Sequence, residues 1–200
     1  MSTAKRLSFS FPGFSIEADP NFVACAFLDA ARQASGASLQ QAFVRDAHTP
    51  VIGEVWPGQG GIYLGPIKDE DGLTYHLVRA TTDLKDNAAW GTSGEKLSGC
   101  DNKWHGLRNT QAMAEAGSEV AKTALELEID GHQDFYIPAL REAMLQYINA
   151  PKASKPELYW TSTQYDSYNA WCQSFDVGDS DIRSKDNTLR VCAVRRFLAN

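Results

Sequence analysis

Three carboxylates crowd the segment FDVGDSD, at Asp176, Asp179 and Asp181. Clustered hard oxygens are what a calcium ion binds, but their spacing is not that of an EF-hand loop. A solvated acidic loop is the plainer reading, and calcium is the one ion the cluster would suit; otherwise no cofactor is expected. The histidines, His48, His76, His105 and His132, are far apart and none sits in HExxH. Cys25, Cys100, Cys172 and Cys192 are scattered with no CxxC, which reads as free thiols of a reducing compartment. A Cys172–Cys192 bridge would require their strands to be neighbours. No GxSxG, phosphate loop or dinucleotide fingerprint occurs, and GQGG at 58–61 lacks the Lys and Ser/Thr of a phosphate loop. No nucleophile–base pair emerges, so the chain is not expected to be an enzyme.

A different chemistry is concentrated in YWTSTQYDSYNAWCQSFD, residues 159–176. Large aromatics alternate there with Ser, Thr, Asn and Asp. Tyr, Ser and Asn are the residue types that antibody paratopes favour: Tyr supplies rigid contact area, Ser and Asn adaptable hydrogen bonds. On a strand AWCQSFD, side chains alternate between faces. Trp171, Gln173 and Phe175 are therefore expected on one face, as core, and Cys172, Ser174 and Asp176 on the other, as display.

The chain has 200 residues, enough for one good core, and a formal charge of −6, which argues against general nucleic-acid or anionic-membrane binding. No apolar run approaches the ~20 residues of a membrane span. The N-terminus lacks an apolar stretch and cleavage site, so synthesis in the cytoplasm without a signal peptide is expected.

The elements that would carry these residues follow from periodicity. Phe22, Val23, Ala26, Phe27 and Ala30 recur at helical spacing within 20–34, and residues 1–50 read as an arm or attachment segment, or equally as carrying a helix packed on the main core. From 51 to 200 the texture is that of one domain. Residues 60–80 read as a β-hairpin, with Ile62, Leu64, Tyr75 and Leu77 alternating about an Asp-Glu-Asp-Gly turn. Residues 81–108 read as loop. A helix is predicted over 109–128 on the stripe Met113, Ala116, Val120, Ala124 and Leu127. A second is predicted from Pro138 to before Pro151, with Leu140, Met144, Tyr147 and Ile148 facing inward. About three strands with polar loops complete 159–198. The order of elements is that of an α+β fold with a mostly antiparallel sheet.

Several segments together resemble one family. They are GGIYLG with YHLV, then Phe135 to Pro138, Tyr159 to Thr163, Asn169 to Trp171, Phe175, and Arg190 to Arg195. The family is the C-type-lectin-fold domain of collagen-like adhesins of the Lcl type and of many phage and prophage tail-associated proteins. The resemblance covers about residues 51–198 and leaves the arm outside. A narrower likeness is to variable proteins of diversity-generating retroelements, the major tropism determinant among them. There, mutagenesis at the adenines of Asn-type codons reaches Asp, Ser, Tyr, Cys, Gly and Arg, but not Glu, Lys, Gln or Trp. Residues 165–187 hold five Asp and no Glu. Trp171, Gln173 and Lys185 would then be fixed scaffold.

The resemblance implies a C-type lectin-like fold with two helices, in which 61–67 runs near the last strand, 189–197. It implies ligand recognition, not catalysis. The expected binding residues, on one exposed face, are Asp166, Tyr168, Asn169, Cys172, Ser174, Asp176, Asp181, Arg183, Asp186 and Asn187. Trp160, Trp171 and Phe175 would anchor them from beneath, and Tyr168 and Arg183 would be the energetic hot spots. The partner would be a protein or glycan on a target surface, with no nucleic acid and no membrane insertion. Residues 1–50 would build a homo-oligomer or dock to a larger tail assembly. A virion or phage tail, or non-classical export, would be the destination. Two rivals share the fold: a formylglycine-generating-type enzyme, which needs closely placed cysteines, and a calcium-dependent sugar lectin, whose Glu-Pro-Asn or Gln-Pro-Asp motif is missing here.

Overall fold

The computed structural model describes residues 49–199 and, before them, the backbone of two strands. By contact the chain divides into two compact units, Met1–Thr49 and Pro50–Asn200. In the first, β1 (Leu7–Phe11) pairs antiparallel with β2 (Phe14–Ala18), in register from Leu7 opposite Ala18 to Phe11 opposite Phe14. Each strand alternates apolar and polar residues, the strand period. The helix expected over 20–34, the connector after it, Cys25 and His48 lie outside the described residues.

The second unit is mixed α and β, with three helices and two sheets. A four-stranded sheet has the order β11-β5-β4-β3, formed by Val194–Leu198, Thr74–Arg79, Gly61–Lys68 and Val55–Trp56. The expected hairpin is β4 and β5, turning through Asp69–Leu73. Gly61 has to be glycine: a Cβ there would stand 1.9 Å from the Arg79 carbonyl oxygen across the pair. The segment 61–67 and the end of the chain do share this sheet, but β5 separates them.

A five-stranded sheet has the order β6-β10-β7-β8-β9, formed by Lys85–Ala89, Thr188–Val191, Leu158–Gln164, Asn169–Ser174 and Ser180–Ser184. All its pairings are antiparallel except β10 with β7. The region expected as loop thus contributes β6. That strand, KDNAA, is exposed over most of its length. As an edge strand it needs no apolar alternation, so periodicity could not reveal it.

Between and around the sheets lie α1 (Gly106–Glu115), α2 (Glu119–Leu125) and α3 (Leu140–Asn149). The single helix predicted over 109–128 is two helices. Gly117 adopts a φ of 92°, in the left-handed region that ends a helix, and the chain restarts at Glu119. The buried stripe survives the break in Met113, Val120 and Ala124.

Helices α1 and α2 cover the five-stranded sheet. Met113, Val120, Ala121 and Ala124 pack there with Trp90, Leu97, Ile137, Trp160, Ala170, Cys172 and Val191. Helix α3 covers the four-stranded sheet, where Leu64, Ile67, Leu77, Tyr136, Ala150 and Val194 cluster. The expected inward face of α3 is corrected. Leu140 is buried, but Met144 and Ile148 are exposed, and the buried positions are Glu142, Ala143 and Gln146. The reason is polar. Glu142 Oε2 accepts the backbone N–H groups of Ala139 (2.7 Å) and Gly106 (3.2 Å), and its Oε1 accepts the Tyr136 hydroxyl (2.7 Å). One carboxylate thereby satisfies orphan donors at the starts of both α1 and α3, which rotates α3 away from its apolar stripe. No helix among the described residues is long and apolar enough to cross a membrane.

Candidate functional site

Strand β7 ends at Gln164 and the chain returns as β8 through Tyr165–Tyr168. Asp166 closes that turn. Its Oδ1 accepts the backbone N–H groups of Tyr168 (2.8 Å) and Asn169 (2.7 Å), an Asx turn. The Asn169 amide donates to the same carboxylate at 3.0 and 3.1 Å. These bonds, the Asn169 side chain's first, hold the Asp166 carboxyl below its ordinary range. The turn leaves Tyr168 60% exposed and Tyr165 52% exposed.

Beneath the turn lies Lys185, fully buried between β9 and β10. An ammonium has three protons, and each finds an acceptor: the carbonyl of Glu95 (3.0 Å), Oε1 of Gln164 (2.7 Å) and the carbonyl of Ser167 (3.1 Å). The Trp90 ring lies 4.8 Å below the charge. Burial lowers the pKa of Lys185. The same residue's backbone N–H donates to the Tyr168 carbonyl at 2.8 Å. The Gln164 amide completes the clamp, accepting from the N–H of Leu97 and donating to its carbonyl. Three loops, around Glu95, Ser167 and Lys185, are fastened to one cation.

The faces of β8 are the reverse of those expected for Trp171 and Cys172. Ala170 and Cys172 enter the core beside Trp90 and Trp160. Trp171 turns outward, where Tyr165 meets it edge-on at 5.5 Å and Lys103 lies 5.5 Å from its ring centre. Its cross-strand partner is Ile182, also part-exposed. Strand alternation dictates that neighbours separate, not which goes inward. Two tryptophans, Trp90 and Trp160, already fill the core at this point, and only small side chains fit against them.

Cys172 is therefore corrected from display to core: it has no exposed surface, and burial pushes its thiol up to about 11. Ser174 is also buried, its hydroxyl accepting the Val177 N–H at 3.2 Å. Gln173 is buried because its amide donates to the Gly178 carbonyl (2.8 Å) and accepts the Ser180 hydroxyl (2.9 Å), closing the β8–β9 turn.

The ten expected residues do not share one face. Asp166, Tyr168 and Asn169 gather with Asp186 and Asn187 at one end of the β8–β9 hairpin. Ser174 and Asp176 lie at the other end, about 17 Å away along a six-residue strand. Asp181 and Arg183 sit opposite Cys172 and Ala170 on the edge strand β9, joined by a 2.5 Å ion pair. Trp160 and Phe175 are buried as the anchors were expected to be. Tyr165, Lys103 and Ile182, which stand next to the part-exposed Trp171, were not among the expected residues, and neither was the outward orientation of Trp171. The small Ala170 was the sequence signal for the last.

Chemistry requiring a thiolate has little support here. Cys100, Cys172 and Cys192 are free and buried, so Cys172 and Cys192 are not bridged. Burial raises the pKa of Cys100 and Cys192 as well. Among the described residues, no three His, Cys, Asp or Glu side chains are grouped to hold a metal ion. No protein-family model matches the sequence, and no curated protein matches it.

Proposed function

We propose that the unit beginning at residue 50 is a ligand-recognition module, not an enzyme, built on a C-type-lectin-like scaffold. Its contact surface is the Tyr165–Asn169 turn together with Trp171, Ile182 and Lys103. One observation carries this reading: two exposed aromatic side chains, Tyr165 and Tyr168, and the part-exposed Trp171 are gathered on backbone that a buried lysine fastens from beneath. Solvent-facing aromatics on a rigid frame bind with little loss of conformational freedom, which is how matured paratopes gain affinity. The scaffold reading is supported by an early strand and the last strand lying in one sheet, with helices on it.

The partner is a protein or glycan on a target surface. The variable-protein reading is supported by the contrast between Lys185, buried, and Asp186 and Asn187, exposed beside it. On this reading the protein works on a phage tail or a related assembly, and residues 1–50 supply self-association.

The test measures binding of the purified protein to immobilised glycans and to intact bacterial cells, beside melting temperature. Tyr168→Ala is expected to lower affinity at least tenfold while moving stability by less than about 0.5 kcal/mol, as exposed substitutions do. Trp171→Ala should also abolish binding and cost only about 1 kcal/mol of stability, far below the ~3–5 kcal/mol of a core tryptophan. Full binding by both variants, with loss on Asp176→Ala instead, would move the site to the opposite end of the hairpin.

A further inference from the structure

Away from the aromatic surface, the β5–β6 connection and the turn after α3 line an open cleft of about 670 Å³. That lies within the ~300–1,000 Å³ usual for small-molecule sites. Its walls carry four cationic side chains, Arg79, Lys85, Lys152 and Lys155, against two acidic ones, Asp83 and Asp86. In a chain of net charge −6 this is a local reversal of sign.

The two acids are already paired, with Arg79 and Lys155 of the same walls and with Arg190 behind them, so the uncompensated cations are Lys85 and Lys152. Asp83 is held by Arg79, by Arg190 at 3.3 Å and by the Tyr159 hydroxyl at 2.8 Å. Asp86 is paired with Arg190, and Lys155 stands 3.5 Å from it. Arg190 also meets Glu157 at 2.9 Å. Lys85 and Lys152 have no such neighbour: neither forms an ion pair among the described residues. Thr81, Thr82 and Ser154, each with a hydroxyl, line the same space. The Ser154 oxygen accepts the Gln146 amide at 2.6 Å, so its own proton is not used in that bond. Buried Arg79 keeps one donor, Nε, without a hydrogen-bond partner.

We propose that this cleft binds the phosphate group of a small polar ligand, with Lys85 and Lys152 as its principal cations and the Thr81, Thr82 and Ser154 hydroxyls as donors. Ammonium groups act on phosphate as mobile point charges, which suits two lysines flanking a polar cleft. A doubly charged phosphate gains more from them than a single carboxylate does. The site is independent of the aromatic surface and survives if the recognition reading fails.

The probes are inorganic phosphate, glycerol 1-phosphate and sodium acetate, titrated into the full-length protein while backbone amide NMR shifts are followed. Both phosphates should move the Thr82, Lys85 and Ser154 amides saturably, with glycerol 1-phosphate the tighter if the ligand is an ester. Acetate should bind at least tenfold more weakly. The double variant Lys85→Gln/Lys152→Gln, confirmed folded by its unchanged remaining spectrum, should lose the response at least tenfold. A phosphate response that persists in that variant, one spread over the whole surface, or no saturation by 50 mM, about the weak limit of a specific site, overturns the proposal. Equal affinity for acetate would overturn the phosphate assignment.

Discussion

Lys185 is fully buried, and the three groups that accept its protons are all neutral. Replacing it with methionine preserves most of the stem volume and removes every donor. The Glu95 carbonyl would then be left without its donor, at a cost of about 1–3 kcal/mol, while the Ser167 carbonyl and the Gln164 amide oxygen would keep only the N–H groups of Gly94 and Leu97. Lys185→Met is expected to destabilise the protein by about 2 kcal/mol, and to speed hydrogen exchange at the Gly94 and Leu97 amides, which share their acceptors with the lysine, before anywhere else. Denaturant melts and exchange measurements check both; uniform exchange would mean that the lysine does not fasten these loops. The likeness to variable proteins set Lys185 aside with Gln173 and Trp171 as fixed positions, and of these Lys185 and Gln173 are buried. The orientation of Trp171 was not legible in the sequence. The alternation of β8 is plain, but its sign depends on what already fills the core, and Trp90 comes from a segment 80 residues earlier that carried no pattern.

At the level of elements, helix α3 owes its orientation to Glu142. Burial is the main cause pushing that carboxyl up to about 7, against the hydrogen bonds from Tyr136, Ala139 and Gly106 that favour its charged form. An unfolded glutamate titrates near 4.3. Between those values the folded protein holds a proton that the unfolded chain has released, so stability falls as pH rises. The contribution is complete below about pH 4 and is lost as pH climbs through about 7, a difference on the order of 3 kcal/mol. Glu142→Gln cannot titrate. Urea midpoints measured from pH 4.5 to 7.5 should therefore fall less steeply with pH in that variant than in the parent; parallel curves would show that Glu142 is ionised throughout. The apolar residues of α3 misdirected the reading of its face, since Met144 and Ile148 lie at helical spacing yet point to solvent. A buried glutamate that caps two helices leaves no periodic trace. The hairpin β4–β5 did leave one, because its alternation and its turn chemistry agree.

For the molecule as a whole, the contacts divide the chain into two compact units, Met1–Thr49 and Pro50–Asn200. If the first unit mediates self-association, removing residues 1–50 should reduce the mass measured by light scattering to that of a single remaining chain, and weaken binding to a multivalent surface by ~10²-fold or more while a monovalent ligand is held as before. An unchanged mass would assign association elsewhere. The α+β class was readable from the order of patterned segments, whereas the division of the strands between two sheets was not, because it depends on one short link. Thr188–Val191 belongs to the five-stranded sheet and Val194–Leu198 to the four-stranded one, with only Cys192 and Ala193 between them. During synthesis, therefore, neither sheet can close until this last stretch has left the ribosome. Strands β5 and β7 must wait for partners made more than 100 and about 30 residues later, respectively. Chains dominated by such distant pairings fold slowly, and the nascent unit spends that interval with open strand edges, the state in which helpers that shield edges from one another have most effect.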